Sequence, residues 1–301
     1  MDKKLFHDFF HRNLPRDMEQ CIDLFAIFGG TDISINSDEP IETLITNHIL
    51  KPFETHHSRI FAPLGENPLY GKLLHAISIG DRRLDSAYRR ARIGKERGNE
   101  AFSYLRRIGY LCIEHSRETP PHKIHPKQRF KKEVERHRIS HKFRFTTPFL
   151  RFWFAFVEPY AKSIRDNNYT PMLAYFQTHY SEFVGFIFEE LCDLYIEEIL
   201  SKRFGESIID SGSYWDREVE IDLLSETKSG KTWVGECKWT NHKLNKKELH
   251  KLEEKCAKLD LHPDKLFLFT KRGFSNELRT LKERHLHLFC AEELESLARR
   301  P

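Results

Sequence analysis

The stretch EVEIDLLSETKSGKTWVGECKWT, residues 218–240, sets Glu220 and Asp222 in one apolar run and Glu236 and Lys238 in the next, across a short polar turn. In a strand, alternate residues share a face. Val219, Ile221 and Leu223 are therefore expected on one side of the first strand, with Glu220 and Asp222 on the other. In the second strand, Trp233, Cys237 and Trp239 are expected to oppose Val234, Glu236 and Lys238. If the apolar sides bury together, Asp222, Glu236 and Lys238 converge. Carboxylate oxygens on rigid elements, with an ammonium to position water, are what a hard divalent cation requires, and Mg²⁺ or Mn²⁺ is the expected ion. A plainer alternative is a surface hairpin of cross-strand ion pairs. Against it, the acids sit in the apolar run EIDLL, and Gly235, Cys237 and Trp239 beside Glu236 and Lys238 are poor surface choices.

The elements that must hold these residues are legible along the chain. MEQCIDLFAIFGG and PIETLITNHILKPF read as short helices bounded by Gly29 and Gly30, Pro40 and Pro52. LYGKLLHAISIG, LDSAYRRARI and ERGNEAFSYLRRIG read as three helices, and YLCIE and HKFRFTT as two strands. Three helices and a hairpin form a winged-helix arrangement, whose third helix can enter a DNA groove. An apolar stripe of Ala101, Phe102, Leu105 and Ile108 leaves Asn99, Ser103, Arg106 and Arg107 as the candidate nucleic-acid contacts. FLRFWFAFVEPY is expected to be a buried helical bridge. From Thr170 a long helix ends at Gly205 and SIIDSG forms a strand closed by Gly212. After the hairpin come the helix NKKELHKLEEKCAKLDL, the strand KLFLFT, the helix NELRTLKERH, the strand LHLFC and a final helix. Strands separated by helices are expected to be parallel.

Composition narrows the class. The chain has 301 residues, 39% hydrophobic and 31% charged, with six cysteines scattered singly. No C-x-x-C pair or paired-histidine spacing is present, so reduced core thiols are expected, without zinc or disulfides. The N-terminal stretch holds no apolar core of signal-peptide length, and no segment approaches about 18 consecutive apolar residues. A soluble, cytoplasmic protein with no membrane partner is the expectation. From Gly80 to Arg144 there are 19 Lys and Arg against 8 Asp and Glu, in a chain whose net charge is only +4. Positive charge gathered in one segment is the footprint of a polyanion partner, a nucleic acid and most simply DNA.

The pattern D-x(n)-E-x-K across a hairpin, after a helix bearing FE at Phe188 and Glu189, resembles the PD-(D/E)XK nuclease superfamily, the restriction-endonuclease-like fold. The proline of that name is absent, since Ile221 precedes Asp222. A wider resemblance runs through FAIFGGTD, YGKLLHAISIG, YLRRIGYL, FLRFWFAFVEPY, GFIFEELC and EIDLL…GECKW to the C-terminal half of archaeal-type AAA ATPases, where a helical lid, a winged helix and a nuclease-like domain follow the ATPase core. This chain begins at the lid and holds no G-x-x-x-x-G-K-[ST], so no nucleotide cofactor is expected.

The resemblance implies an α+β multidomain protein: a helical segment over 1–66, a winged helix over 67–147, an aromatic bridge over 148–180, and an α/β restriction-endonuclease-like domain with a mixed central sheet over 181–301. It implies that Asp222, Glu236, the backbone carbonyl of Cys237 and Glu189 hold the metal, and that Lys238 orients or deprotonates water. Gly185 would let the helix of Glu189 approach closely, and Glu220 is a second-rank ligand. The implied activity is metal-dependent phosphodiester hydrolysis, with a catalytically idle DNA- or partner-binding regulator as the alternative. A homodimer and a separate ATPase partner stay open.

Overall fold

The computed structural model describes residues 1–65, 67–120, 125, 129, 139–281 and 283–299, so most of the basic, histidine-rich connection after residue 120 lies outside the described residues. Among the described residues no helix is long and apolar enough to cross a membrane.

The chain opens with a helix that its charge pattern conceals, α1 (Lys3–Asn13), capped by the Asp2 carboxylate on the Lys4 N–H and burying Phe6 and Phe9. Helix α2 (Met18–Phe28) is capped by Asp17 and almost wholly buried. Helix α3 (Ile41–Ile45) runs on through a wider π turn at Thr46–Leu50, and α4 (Phe53–Phe61) follows Pro52.

Three further helices, α5 (Pro68–Ser78), α6 (Leu84–Ala91) and α7 (Lys95–Arg107), lead into the antiparallel strands β1 (Leu111–Glu114) and β2 (Lys142–Phe145). The aromatic run forms α8 (Pro148–Phe152), capped by Thr147, and a π segment Trp153–Val157 in which all five residues are buried. Aromatic side chains this dense bury more apolar surface per residue than any others, and here they face α2, α5 and the long helix α9 (Thr170–Tyr195).

The C-terminal part is a mixed five-stranded sheet in the order β3 (Ile208–Trp215), β4 (Glu220–Thr227), β5 (Thr232–Lys238), β6 (Lys265–Thr270), β7 (Leu286–Cys290). The first three strands are antiparallel, while β5, β6 and β7 are parallel. Parallel strands need crossover connections, and α10 (Lys246–Lys258) supplies the first of them.

Both sheet faces are buried. Leu223, Trp233, Cys237, Phe267 and Phe269 join α9, the aromatic run and the N-terminal helices in one continuous core. Ile221, Leu224, Val234, Leu266 and Leu268 pack with Leu249, Leu252 and Cys256 of α10. The fold is thus α+β, helical first and mixed sheet second.

Three expectations change. Strand β3 does not close at Gly212 but runs through it, with that glycine at φ 144. The helix expected over NELRTLKERH is a single turn, Asn276–Arg279. Ile221 and Leu223 do not share a face, since they belong to opposite cores.

Candidate metal and nucleic-acid site

The broken alternation at Ile221–Leu223 has a local cause. Gly212 pairs with Leu224 and Tyr214 with Ile221, so Asp222 and Leu223 together stand opposite Ser213. An extra residue on one strand is a β-bulge, which re-aims side chains and shifts the facing by one. Ile221 thereby turns to the α10 side and Leu223 to the α9 side. Asp222 is freed from the pleat, and its Oδ2 accepts the Cys237 N–H at 2.9 Å, just past the Leu223–Gly235 pair. Gly235 permits the close strand approach, because a Cβ there would stand 3.0 Å from Leu223 Cδ1.

Glu236 lies on the α10 side of β5, buried, with each oxygen held by an ammonium: Oε1 by Lys238 at 2.6 Å and Oε2 by Lys255 at 2.6 Å. Lys238 Nζ also lies 3.8 Å from Asp222 Oδ2, so it bridges the two carboxylates. Burial, then the Glu236 charge, pushes Asp222 up to about 6, against Lys238. Glu189 on α9 is pushed up to about 8 by burial and by Asp222, against Arg82 and Lys238. Burial pulls Lys238 down, but Asp222 and Glu236 outweigh it and hold the ammonium above its ordinary value. Acids that raise one another's pKa in a buried place are a site a cation would relieve.

The donor set suits a hard ion. It offers carboxylate oxygens and a backbone carbonyl, with the Cys237 thiol turned into the core beside Cys192. The oxygens of Glu189, Asp222 and Glu236 do not all fall within 4.8 Å of one another; among the described residues that spacing is met by Cys290, Glu292 and Glu293, the two glutamates being exposed.

The other expected residues fare unevenly. A Cβ at Gly185 would meet nothing closer than the Trp239 Cβ at 3.8 Å, an ordinary separation, so the approach of α9 does not require the glycine. Glu220 turns its half-exposed carboxylate to Lys142 of β2, at 2.5 Å, rather than to Glu236. Asn99, Ser103, Arg106 and Arg107 are all exposed on α7. The Asn99 side-chain Oδ1 accepts from the Tyr88 hydroxyl at 2.9 Å, and Arg107 lies over the Tyr104 ring.

Sequence reasoning missed the residues that β1, β2 and the preceding loop bring to the sheet. Arg82 pairs with Glu114 at 2.9 Å, Ser213 Oγ donates to the same carboxylate at 2.6 Å, and Arg144 reaches Glu190 at 3.3 Å. The available signal was the alternation KFRF, in which basic and aromatic residues take opposite faces of a strand. Between this hairpin, α9 and the β3–β4 edge lies a cleft of about 430 Å³, with Glu189 and Asp222 in its wall. A second cleft, about 370 Å³, shares Arg82, Phe186 and Glu189 with the first.

Residues 153–252 match DUF234, a family described as archaea bacterial proteins of unknown function. The matched stretch includes Glu189, Asp222, Glu236 and Lys238. Among solved structures, the crystal structure of a repair endonuclease from Pyrococcus abyssi is similar over 33% of this chain and 44% of that one, at 17% identity and a TM-score of 0.26. The chain thus spans less than half the length of that structure, and a likeness this partial carries no argument about function. No curated protein matches the chain.

Proposed function

We propose that this protein is a metal-dependent nuclease of the PD-(D/E)XK type, hydrolysing phosphodiester bonds in DNA. The observation that carries it is the bulge at Asp222, which aims a largely buried carboxylate at the Cys237 backbone beside Glu236 and Lys238, with Glu189 lining the same cleft. Asp222, Glu236, Glu189 and the Cys237 carbonyl would hold Mg²⁺ or Mn²⁺. When bound, such an ion supplies Lewis acidity and a water of lowered pKa. Lys238, already between Asp222 and Glu236, would orient an attacking water and offset charge on the phosphate. Lys255 holds Glu236 in place from α10. Helices α5–α7 with β1 and β2, residues 67–147, serve as a winged-helix module that binds nucleic acid through Asn99, Ser103, Arg106 and Arg107.

A second reading is favoured by the two ammonium groups that occupy both Glu236 oxygens. It makes the protein a catalytically idle nucleic-acid or partner binder, on its own or with a separate ATPase. Titration with Mg²⁺ and Mn²⁺ against a supercoiled plasmid, with chelator controls, separates them. Cleavage that appears with metal and vanishes in EDTA supports the nuclease; cleavage unchanged by EDTA sinks the metal mechanism, and none at any metal concentration leaves the idle binder.

A further inference from the structure

The second cleft is lined by cations and by the carboxylates of Asp81, Glu182, Glu189 and Glu220. Its cations are Arg82, Lys142 and Arg151. Lys142 is matched by Glu220 at 2.5 Å and Arg82 by Glu114 at 2.9 Å. Arg151 has no carboxylate within 4.0 Å among the described residues; its NH1 donates to the Phe183 carbonyl at 2.9 Å, and its buried Nε donates to nothing. Its guanidinium lies 4.2 Å from the Phe183 ring centre and 4.6 Å from that of Phe186, and Arg82 lies 3.8 Å from the same Phe186 ring. Two guanidinium groups on one phenylalanine repel each other. Burial, and then Arg82, pulls Arg151 down to about 9 against the charges of Glu190, Glu189 and Glu182, which leaves it protonated at neutral pH. A cation withdrawn from water is costly unless an anion meets it directly, and the glutamates that act on Arg151 do so from beyond ion-pair distance.

The backbone around Arg82 points the same way. Arg82 sits at φ 63, in the left-handed region that crowds any residue with a Cβ. The Phe143 N–H holds it there through the Arg82 carbonyl at 3.0 Å. Strain of this kind persists where the surroundings over-determine it, and it gathers at ligand clamps. Here it delivers a guanidinium to the wall common to both clefts, next to Glu189.

We propose that this cleft is a phosphate-binding subsite, in which Arg151 and Arg82 grip a phosphate group of a nucleic-acid strand whose neighbouring phosphate lies at the carboxylate centre. Guanidinium is the side chain best shaped to chelate phosphate oxygens. The inference rests on the nuclease reading only for the neighbouring phosphate; the grip itself needs no metal and no cleavage.

The test is therefore made in EDTA. Arg151→Gln and Arg82→Gln, each checked for an intact fold by circular dichroism, are titrated with a short DNA duplex at several salt concentrations. Each phosphate left without its arginine should lower the slope of log K against log salt by about 0.9, and binding should weaken several-fold. Melting temperature in sodium phosphate against sodium chloride at equal ionic strength gives a second readout: phosphate should stabilise the parent chain more than either variant. Duplexes with 5′-phosphate and 5′-hydroxyl ends separate the two sources of the group. A loss confined to the phosphorylated duplex assigns the cleft to a strand end, and an equal loss on both assigns it to an internal phosphodiester. Should Arg151→Gln fail to fold, Arg82→Gln decides alone. Unchanged slopes in folded variants overturn the subsite, whereas absence of metal-dependent cleavage in the parent chain overturns the nuclease reading and leaves the subsite standing.

Discussion

The hairpins β1–β2 and β4–β5 both place charged residues among apolar ones on strands, yet the two use charge in opposite ways. In β1–β2 each charge meets its opposite on another element: Glu114 meets Arg82, Lys142 meets Glu220 and Arg144 meets Glu190. Burial would raise Glu114, but Arg82 and the Ser213 hydroxyl outweigh it and hold the carboxyl below its ordinary value. In β4–β5 acid faces acid, and Asp222 and Glu189 are pushed up to about 6 and about 8. The first hairpin is fastened to the sheet by matched pairs. The second crowds acids around shared lysines, Lys238 bridging Asp222 and Glu236 and Lys255 holding Glu236 from α10. A charged residue in a strand is therefore uninformative until its partner is known, because partner charge weighed against burial decides the direction of its pKa shift.

That difference should show most strongly in activity. Asp222→Ala should lower metal-dependent cleavage by on the order of 10³-fold, as loss of a charge-stabilising group does elsewhere, with the fold retained. Glu114→Gln should do the reverse, keeping cleavage within a few-fold while lowering the urea midpoint, since it leaves the largely buried Arg82 guanidinium without its carboxylate. Equal loss of cleavage from the two variants, both folded, would break the comparison.

Next in size is the pH dependence of stability, which should run in opposite directions for the two hairpins. The folded-state pKa values of Asp222 and Glu189 are raised, so their contribution is fully present below ordinary carboxylate values and is lost as pH rises through about 6 and about 8. Glu114 is depressed, so its contribution is present above its ordinary value and lost as pH falls through the lower one. In chelator, melting temperature should thus decline from about pH 5 to about pH 8.5 on account of the dyad, and Glu189→Gln should flatten that decline. Mg²⁺ should restore stability more at about pH 8 than at about pH 5, because bound metal needs ionised ligands. A Glu189→Gln profile that parallels the parent chain would remove the dyad from the account.

A smaller effect is expected on α7. Replacing Arg106 and Arg107 together, both exposed, should lower the salt slope of DNA binding by about 0.9 for each phosphate they neutralise, and leave metal binding at β4–β5 intact. An unchanged slope in gel shifts would mark α7 as a face for a protein partner. Last comes Gly185→Ala, which should stabilise α9 by about 0.5–1 kcal/mol, since a Cβ there meets its neighbours at an ordinary distance. A loss of stability in thermal melts would restore close approach as that glycine's role.

Helix and strand follow from apolar spacing and caps within a few residues, and for that reason most elements are legible in the chain alone. The three helices before β1, the aromatic run, α9, and the order of strands and helices after it can all be read there. Helix α1 carries Leu5, Phe6, Phe9 and Phe10 at helical spacing, but the charged residues and histidines interleaved with them mask the stripe. Gly212 reads as a stop, since only the β4 ladder shows that the strand continues past it. The types of the site residues are equally plain in EIDLL and GECKW.

Which charges meet is a matter of the folded chain. The bulge that turns Asp222 depends on Ser213 of a neighbouring strand, and the clamp on Glu236 depends on Lys255 of a helix beyond the hairpin. Arg82 and Arg151 converge on a ring of α9 that neither adjoins in the sequence. Backbone preference is settled by near neighbours. Register and charge balance depend on groups brought together from distant segments, and so become visible only in three dimensions.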